Sequence, residues 1–335
     1  MDGRPVGFTT TIPVEVLLAA GRVPVDLNNI FISDPECAGL VARAELEGYP
    51  RNCCGWIKGL YATVLDKGMD EIIAVTQGDC SQTHAMMETL QDSGVRVFPF
   101  AYPHNRDADL LREQIQRLID RFGTSWQRAE SVKEQLVPLR RQLAELDRLT
   151  WEENRVSGFD NHYYLVSATD FCSDVEGFAA EVAKVLHDSR SRTLQEGRAR
   201  IGIIGVPPII TDFYDVLDRL GARVVFNEMQ RQFSMIPYLD CGLLEQYQRY
   251  TYPYDVFARI EDINREVERR NIDGIIHYVQ TFCFRQIQGM LIKRDVSVPV
   301  LEIEGDKPAP MDARNRLRVE AFMETLEARA RGSAG

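Results

Sequence analysis

Two kinds of segment alternate along this chain. Short runs rich in β-branched residues, at 72–75, 201–204 and 275–279, are typical of buried strands. Longer segments between such runs, such as 175–187 and 255–270, carry apolar residues at helical spacing. Short strands that alternate with helices predict an α/β protein with parallel sheets.

Two further segments have a distinct pattern. Residues 23–32 are predicted to be extended, because apolar residues recur there between turn-forming positions. Residues 107–150 contain few β-branched residues and many Leu, Arg, Glu and Gln, which predicts long helices interrupted near Gly123 and Pro138. We interpret 107–150 as a helical insert or lid.

The chain contains an internal repeat. A shift of 203 positions, with no gap, superimposes Asp70 on Asp273, Ile72 on Ile275, Ile73 on Ile276, Gln77 on Gln280, Cys80 on Cys283 and Met87 on Met290. Each copy is predicted to be a strand, a polar loop with the Cys, a helix and a second strand. The carboxyl ends of parallel strands form the edge at which α/β sheets bind ligands. Two such edges that face each other would bring Cys80 and Cys283 to one point.

Length and repeat together predict two domains. A chain of 335 residues suits two units of about 150 residues each. We place the first at 1–165, including the insert 107–150, and the second at 166–335 with a C-terminal helix.

Charge and composition limit the partners and the cell compartment that we expect for this protein. Lys and Arg number 39 against 50 Asp and Glu, and the net charge of −11 argues against nucleic acid or an anionic membrane as a partner. The longest apolar stretches are too short to span a bilayer, so we expect no membrane association and a cytoplasmic protein. Seven cysteines without the dense spacing of a secreted scaffold indicate reduced thiols.

Familiar nucleotide and hydrolase motifs are missing from the sequence. The strand at 201–204 is followed by Gly205-Val206-Pro207-Pro208, which lacks the glycine spacing and the N–H donors of a phosphate-binding loop. There is no Walker A motif, no Gly-x-Ser-x-Gly elbow and no His-Glu-x-x-His pattern. Any ATP that this protein requires is therefore bound by another protein.

The cysteines fall into two groups. Cys37, Cys172 and Cys241 are interpreted as small buried apolar residues. The remaining candidates each lie in a loop that precedes a predicted helix, where N–H groups and the helix dipole stabilise a thiolate: Cys80, Cys283 and the pair Cys53-Cys54. A shared iron–sulfur site explains this placement better than unrelated core thiols. A zinc site completed by His84 or His277 is the alternative.

Several motifs together resemble one known family. They are Ile12-Pro13-Val14-Glu15-Val16, Arg51-Asn52-Cys53-Cys54-Gly55-Trp56-Ile57-Lys58-Gly59, Gly78-Asp79-Cys80-Ser81, Phe282-Cys283-Phe284-Arg285 and Pro299-Val300-Leu301-Glu302-Ile303-Glu304-Gly305-Asp306. The chain resembles the 2-hydroxyacyl-CoA dehydratase family, which includes the 2-hydroxyglutaryl-CoA dehydratase D-component, the cluster-binding subunits of benzoyl-CoA reductase and the double-cubane cluster proteins. The resemblance runs from about residue 7 to residue 326.

The resemblance implies a fold, a cofactor and its ligands. It implies two flavodoxin-like domains with an iron–sulfur cluster between them, either a 4Fe-4S cubane or an 8Fe-9S double cubane. Carried over by position, the ligands are Cys54, Cys80 and Cys283. The family pattern has a single Cys, then two residues, then an Ile/Val-Lys/Arg pair, which selects Cys54 over Cys53 because Ile57-Lys58 follow Cys54 at that distance. The doubled Cys departs from that pattern.

The resemblance also implies a mechanism and partners. The chain would be the electron-accepting component of a reductase or dehydratase (lyase) system, reduced by a separate ATP-hydrolysing iron–sulfur activator protein. Three ligands leave a cubane incomplete, so we expect a homodimer or a pair with a homologous subunit. The substrate would be an acyl-CoA or another small molecule.

Polar residues near the expected ligands are candidates for secondary roles. Gln77 and Gln280 are proposed to donate hydrogen bonds to cluster sulfides, or else to cap their loops. Lys58 and Arg285 would raise the cluster potential or hold a substrate carboxylate, with ordinary ion pairing as the alternative.

Proton transfer has its own candidates. His84 is expected on the same helix face as Cys80, where it would be a proton donor or a surface residue. Glu304, with its neighbours Glu302 and Asp306, would supply an acid/base group or else cap a helix.

Two functions of other classes stay open from the sequence. One is a non-catalytic subunit that holds the cluster beside an active homologous subunit. The other is a flavodoxin-like binding module that carries zinc or no metal.

Overall fold

A computed structural model of the chain describes residues 3–194, 197 and 199–333. The outer limits of the two predicted domains, residues 1 and 335, lie outside these residues, and the boundary at 165/166 stays a prediction. The strands are β1 (Pro5–Phe8), β2 (Val23–Asp26), β3 (Glu71–Gln77), β4 (Arg96–Ala101), β5 (Ala199–Gly205), β6 (Ala222–Asn227), β7 (Gly274–Gln280) and β8 (Val300–Gly305).

Helices outnumber strands in the described part of the chain. They are α1 (Val14–Ala19), α2 (Leu27–Ser33), α3 (Cys37–Leu46), α4 (Gly55–Asp66), α5 (Thr83–Asp92), α6 (Ala108–Phe122), α7 (Trp126–Trp151), α8 (Gly158–Ser167), α9 (Val175–Ser189), α10 (Phe213–Arg219), α11 (Glu228–Phe233), α12 (Leu243–Arg249), α13 (Val256–Arg270), α14 (Gly289–Asp295) and α15 (Ala313–Ser333). Short 3₁₀ turns lie at Phe171–Ser173, Ile236–Tyr238 and Phe284–Gln288.

The strands form two parallel sheets of identical topology. The first has the order β2-β1-β3-β4 and the second the order β6-β5-β7-β8. Within the repeat, β3 and β7 coincide at the shift of 203 positions, since 274 − 71 and 280 − 77 both equal 203. Both the α/β class and the internal repeat are therefore confirmed, and the two sheets are consistent with paired flavodoxin-like domains.

Two local predictions were wrong. The expected extended segment 23–32 is a strand only as far as Asp26, because the Asp26 carboxylate accepts a hydrogen bond from Asn28 N at 2.9 Å and caps helix α2. Pro138 does not interrupt the insert either, since it lies inside the continuous helix α7. The break near Gly123 is present, where that residue adopts φ 67° and ends α6.

Helix α7 contacts elements from both halves of the chain. It packs on α1 of the first half and on β6 of the second. The buried Arg140 on α7 donates a hydrogen bond to Glu15 on α1 at 2.8 Å, and Gln246 on α12 donates to the same carboxylate at 2.9 Å. This network holds the chain in place just after β1. The same segment forms the start of one wall of the candidate site. No helix in the described residues is both long and apolar enough to cross a membrane.

Candidate functional site

The carboxyl ends of both sheets open on one cavity of about 110 Å³. Its wall is made by segments that follow strands of the first and second sheets and by side chains of α4 and α8. The lining residues are Thr9, Thr10, Thr11, Asp26, Asn28, Asn29, Ile32, Cys54, Trp56, Ile57, Leu60, Asp79, Cys80, His162, Val166, Val206, Pro207, Pro208, Phe233, Tyr252, Gln280 and Cys283. The two strand-end edges thus face each other across one space.

Three free thiols line this cavity. Cys80 follows β3, Cys283 follows β7, and Cys54 is the residue immediately before α4. Each comes from a different loop, so the three are far apart in sequence and adjacent in space. The structure therefore brings together the three cysteines named from the sequence, from both halves of the repeat.

Backbone N–H groups point at each sulfur. The N–H groups of Trp56 and Ile57 face Cys54, that of Gln82 faces Cys80, and that of Arg285 faces Cys283. Such donors stabilise a thiolate. Burial outweighs these donors and raises the pKa of all three thiols, to about 12 for Cys54.

Close backbone approaches bring the loops together. Gly78 has φ 93°, and a Cβ there would collide with Pro253. Gly55 begins α4 beside the carbonyl oxygen of Asp306, in the loop after β8, and leaves no room for a Cβ. Phe282, next to Cys283, has φ 65°, which is rare for a bulky residue and marks a strained turn at the site.

The adjacent residues Cys53 and Cys54 have different surroundings. Cys54 lines the cavity, whereas the Cys53 thiol donates a hydrogen bond to Gln82 Oε1 at 3.0 Å. The same Oε1 accepts the N–H of Cys54 at 3.0 Å, so Gln82 ties the doubled Cys to the loop of Cys80. Cys53 therefore braces the loop, while Cys54 is directed to the cavity.

The two equivalent glutamines occupy unequal positions. Gln280 is buried on the cavity wall, where it donates to the carbonyl of Asp306 at 2.7 Å and accepts from Tyr278 at 2.8 Å. Gln77 is exposed and does not line the cavity. A cluster-contacting role stays a prediction for both, and of the two only Gln280 lines the cavity.

The two predicted cations support loops. Lys58 is only 2 % exposed, and it donates to Glu45 at 2.7 Å and to the carbonyl of Arg51 at 3.3 Å. The buried Arg285 donates to the Gly78 carbonyl at 3.0 Å and covers the Tyr252 ring at 4.6 Å. Arg285 therefore links the loop after β7 to the loop after β3, beside two of the thiols. Neither cation lines the cavity.

The predicted acid/base residues lie outside the cavity. His84 is exposed, with Nε2 3.0 Å from the Thr76 carbonyl oxygen, and it does not share a helix face with Cys80 because α5 begins only at Thr83. Glu304 is exposed and accepts from Thr281 at 3.0 Å. Glu302 lies 3.2 Å from Lys293, and the Asp306 side chain is exposed. Their chemical roles stay predictions.

Other polar groups on the cavity wall were missed by sequence reasoning. Asp26 ends β2, and its N–H donates to the Asp170 carboxylate at 2.7 Å. Asp79 accepts from the Tyr252 hydroxyl at 2.8 Å. His162 lies on α8, with Nδ1 2.8 Å from Gln230 Nε2. The only sequence signal was the position of Asp26 and Asp79 at strand ends, and nothing marked His162 on the wall or Asp170 behind Asp26.

The carboxyl groups near the cavity hold protons more tightly than usual. Burial raises the pKa of Asp26, and it raises that of Asp79 to about 6. Burial, with the negative charge of Asp26 second, raises the pKa of Asp170 to about 7. The cavity is therefore bordered by carboxyl groups whose pKa burial raises.

The donor set fits an iron–sulfur cluster. The buried Cys54 and the half-buried Cys80 and Cys283 surround one space, each with backbone N–H donors. The Trp56 indole N–H on the wall has no hydrogen-bond partner in the described residues, so it is free to donate to a cluster sulfide. Among those residues, no three His, Cys, Asp or Glu side chains gather closely enough for a single metal ion.

The two histidines named for the zinc alternative do not join the thiols in this arrangement. His84 is exposed, as described, and the buried His277 lies within β7, with Nδ1 3.8 Å from Glu302 Oε2. Neither histidine lines the cavity with the thiols.

Comparison with known families agrees with the geometry. The model of a family described as 2-hydroxyglutaryl-CoA dehydratase, D-component, matches residues 9–326. No curated protein matches the chain. Since the family match covers nearly the whole chain, this protein belongs to the 2-hydroxyglutaryl-CoA dehydratase D-component family. Membership makes it a component of a 2-hydroxyacyl-CoA dehydratase-type system, a class that carries iron–sulfur clusters and acts with a separate activator on acyl-CoA substrates.

Proposed function

From this membership we propose that the chain holds an iron–sulfur cluster through Cys54, Cys80 and Cys283 and accepts electrons from an ATP-hydrolysing activator protein. The observation that carries the proposal is the convergence of the three thiols on one cavity. When bound, the cluster would supply low-potential electron chemistry for reduction or dehydration of an acyl-CoA or another small molecule.

The chain's own residues prepare the site for an anionic group. The thiols are held by loops that Gln82 and Arg285 tie together, and the backbone N–H groups at the sulfurs favour the thiolate form once a metal replaces the proton. Arg285 and Arg259 lower the pKa of Cys283 against the larger effect of burial. Apolar side chains such as Ile57 and Leu60 keep water away from the cavity.

Serine substitution of single cysteines tests the ligand set. We expect Cys54→Ser, Cys80→Ser and Cys283→Ser each to lose most of the iron and acid-labile sulfide of the anaerobically purified protein, because serine oxygen is a poor cluster ligand. Iron content and the visible absorption spectrum are the measurements.

Cys53→Ser is the matched control. It removes a thiol adjacent to Cys54 that bonds Gln82 instead of lining the cavity, so we expect its iron content to equal that of the unmodified protein. Full iron in any of the first three variants would contradict the role of that residue. A colourless unmodified protein would contradict the proposal as a whole.

The proposal includes assembly and location. Three thiols per chain leave a cubane incomplete, so we propose a homodimer or a pair with a homologous subunit, with either a 4Fe-4S or an 8Fe-9S cluster. All seven cysteines are free, which supports a reducing compartment, and we propose the cytoplasm.

A further inference from the structure

His162 is the histidine that lines the cavity. Helix α8 carries it to the wall together with Val166. Its ring is held between aromatic neighbours, with centroids 5.0 Å from that of Tyr214 and 6.3 Å from that of Phe159. The buried Gln230 fixes the ring rotation through the contact at Nδ1.

The contact with Gln230 sets which ring nitrogen carries the hydrogen. When the Gln230 amide donates to Nδ1, the ring hydrogen resides on Nε2. Within the described residues the imidazole makes no other hydrogen bond. Burial lowers the pKa of His162 to about 4, so the ring is neutral near pH 7. His162 therefore offers one uncharged N–H donor to a ligand in the cavity.

The charge of the wall limits which ligand fits. No Lys or Arg belongs to the cavity lining in the described part of the chain, whereas Asp26 and Asp79 do. The guanidinium of Arg285 is engaged by the Gly78 carbonyl and the Tyr252 ring. A carboxylate brought into this space would lose water without gaining a cation.

We propose that this cavity binds an uncharged acyl group, that His162 Nε2–H donates a hydrogen bond to its carbonyl oxygen, and that acyl groups ending in a carboxylate are excluded. The inference rests on the proposed function, because it places the acyl group beside the cluster-holding thiols. The proposal sets the substrate of this chain apart from the glutaryl group in the description of its family, because the second carboxylate of a glutaryl group finds no cationic partner on the described wall.

A pair of matched thioesters tests the charge requirement. Crotonyl-CoA and glutaconyl-CoA differ in a terminal methyl against a terminal carboxylate, so their CoA contacts are shared. With the full-length protein purified anaerobically, at an ionic strength that screens surface charge, we expect calorimetry to show crotonyl-CoA binding at least about tenfold more tightly.

Substitution of His162 tests the donor. We expect His162→Phe to weaken crotonyl-CoA binding about tenfold and His162→Gln, which keeps an N–H donor, to weaken it no more than about threefold. His187→Phe, at an exposed histidine of α9, is the control and should bind like the unmodified protein. Iron content is measured in every sample.

The outcomes separate this inference from the proposed function. Equal affinity for the two thioesters, unchanged binding by His162→Phe, or no binding of either thioester would each overturn the inference, even with full iron. Absence of iron from the unmodified protein would contradict the proposed function alone, because the thioester comparison is read independently. Equal iron in the two His162 variants and the unmodified protein shows that any loss of binding is not a loss of the fold or of the cluster.

Discussion

At the level of single residues, the buried aspartates Asp26 and Asp170 are neighbours, and the backbone N–H of Asp26 donates to the Asp170 carboxylate at 2.7 Å. Asp170 precedes three consecutive non-glycine residues with positive φ, at 55°, 51° and 61°. Each such residue costs on the order of 1 kcal/mol, so the surrounding structure must impose this turn. The Ser173 hydroxyl donates to the Pro24 carbonyl at 3.1 Å, which holds the turn against β2. The Asp170 side chain is thereby fixed beside Asp26.

This arrangement predicts a pH-dependent stability. The pKa of Asp170 in the folded protein is raised to about 7, above its value of about 4 in the unfolded chain. The folded protein therefore binds more protons than the unfolded chain between these values, and the free energy of unfolding falls as pH rises through this window. We expect the stability difference between the unmodified protein and Asp170→Asn to decrease by on the order of 1 kcal/mol per pH unit there, measured by urea unfolding.

Asp34→Asn provides a control of opposite sign. The N–H of Glu36 first, and then Lys67, lower the pKa of Asp34, so its contribution is present above pH 4 and is lost as pH falls below that value. A stability difference for Asp170→Asn that is flat or rising between pH 4 and pH 7 would contradict the raised pKa.

At the level of secondary-structure elements, the sequence predicted the positions of most strands. The repeat placed β3 and β7 and the thiols after them, because buried parallel strands are continuous apolar runs that are recognised locally. Helix α2 was missed, since its formation depends on the Asp26 cap and not on apolar periodicity. His162 was also missed, because only the packing of α8 against α11 and β6 brings that helix to the cavity.

The start of α4 sets the position of Cys54 relative to the second sheet. Gly55 lies against the carbonyl of Asp306, and this carbonyl also accepts from Gln280. We expect Gly55→Ala to destabilise the protein by about 1–3 kcal/mol, because the added methyl pushes the two loops apart. Its iron content should fall with it, since Cys54 moves away from Cys283. Urea unfolding and iron analysis are the measurements.

Gly39→Ala is the matched control for this prediction. Gly39 lies in α3, where an added Cβ would meet only ordinary contacts at 3.7 Å and beyond. Alanine is the better helix former, so we expect about 0.5–1 kcal/mol of added stability and unchanged iron. If Gly55→Ala behaved in the same way, the close approach of α4 to the second sheet would not position Cys54.

At the level of the whole molecule, an exposed apolar surface surrounds Cys283. It consists of Phe282, Phe284, Ile287 and Met290, which are 45 %, 42 %, 73 % and 74 % exposed. Exposed apolar residues concentrated in nine consecutive positions are typical of a surface that another protein covers. The surface adjoins one of the three proposed ligands, where a second subunit would complete a cluster that three thiols leave open. In the proposed homodimer, this surface would contact the second copy of the chain.

The assignment predicts the effect of a charge on this surface. Ile287→Lys places an ammonium group where two copies would bury apolar side chains, so we expect a dimer of the unmodified protein to become a monomer in sedimentation velocity runs. Leu46→Lys, at a leucine that is 89 % exposed on α3, changes the same kind of residue outside the surface and should leave the dimer intact. Dimeric Ile287→Lys would refute this contact. The iron content of the Ile287→Lys monomer then distinguishes a double cubane from a single cubane. A double cubane held by six thiols requires both copies, so the monomer would lose it, whereas a single cubane can stay with one chain.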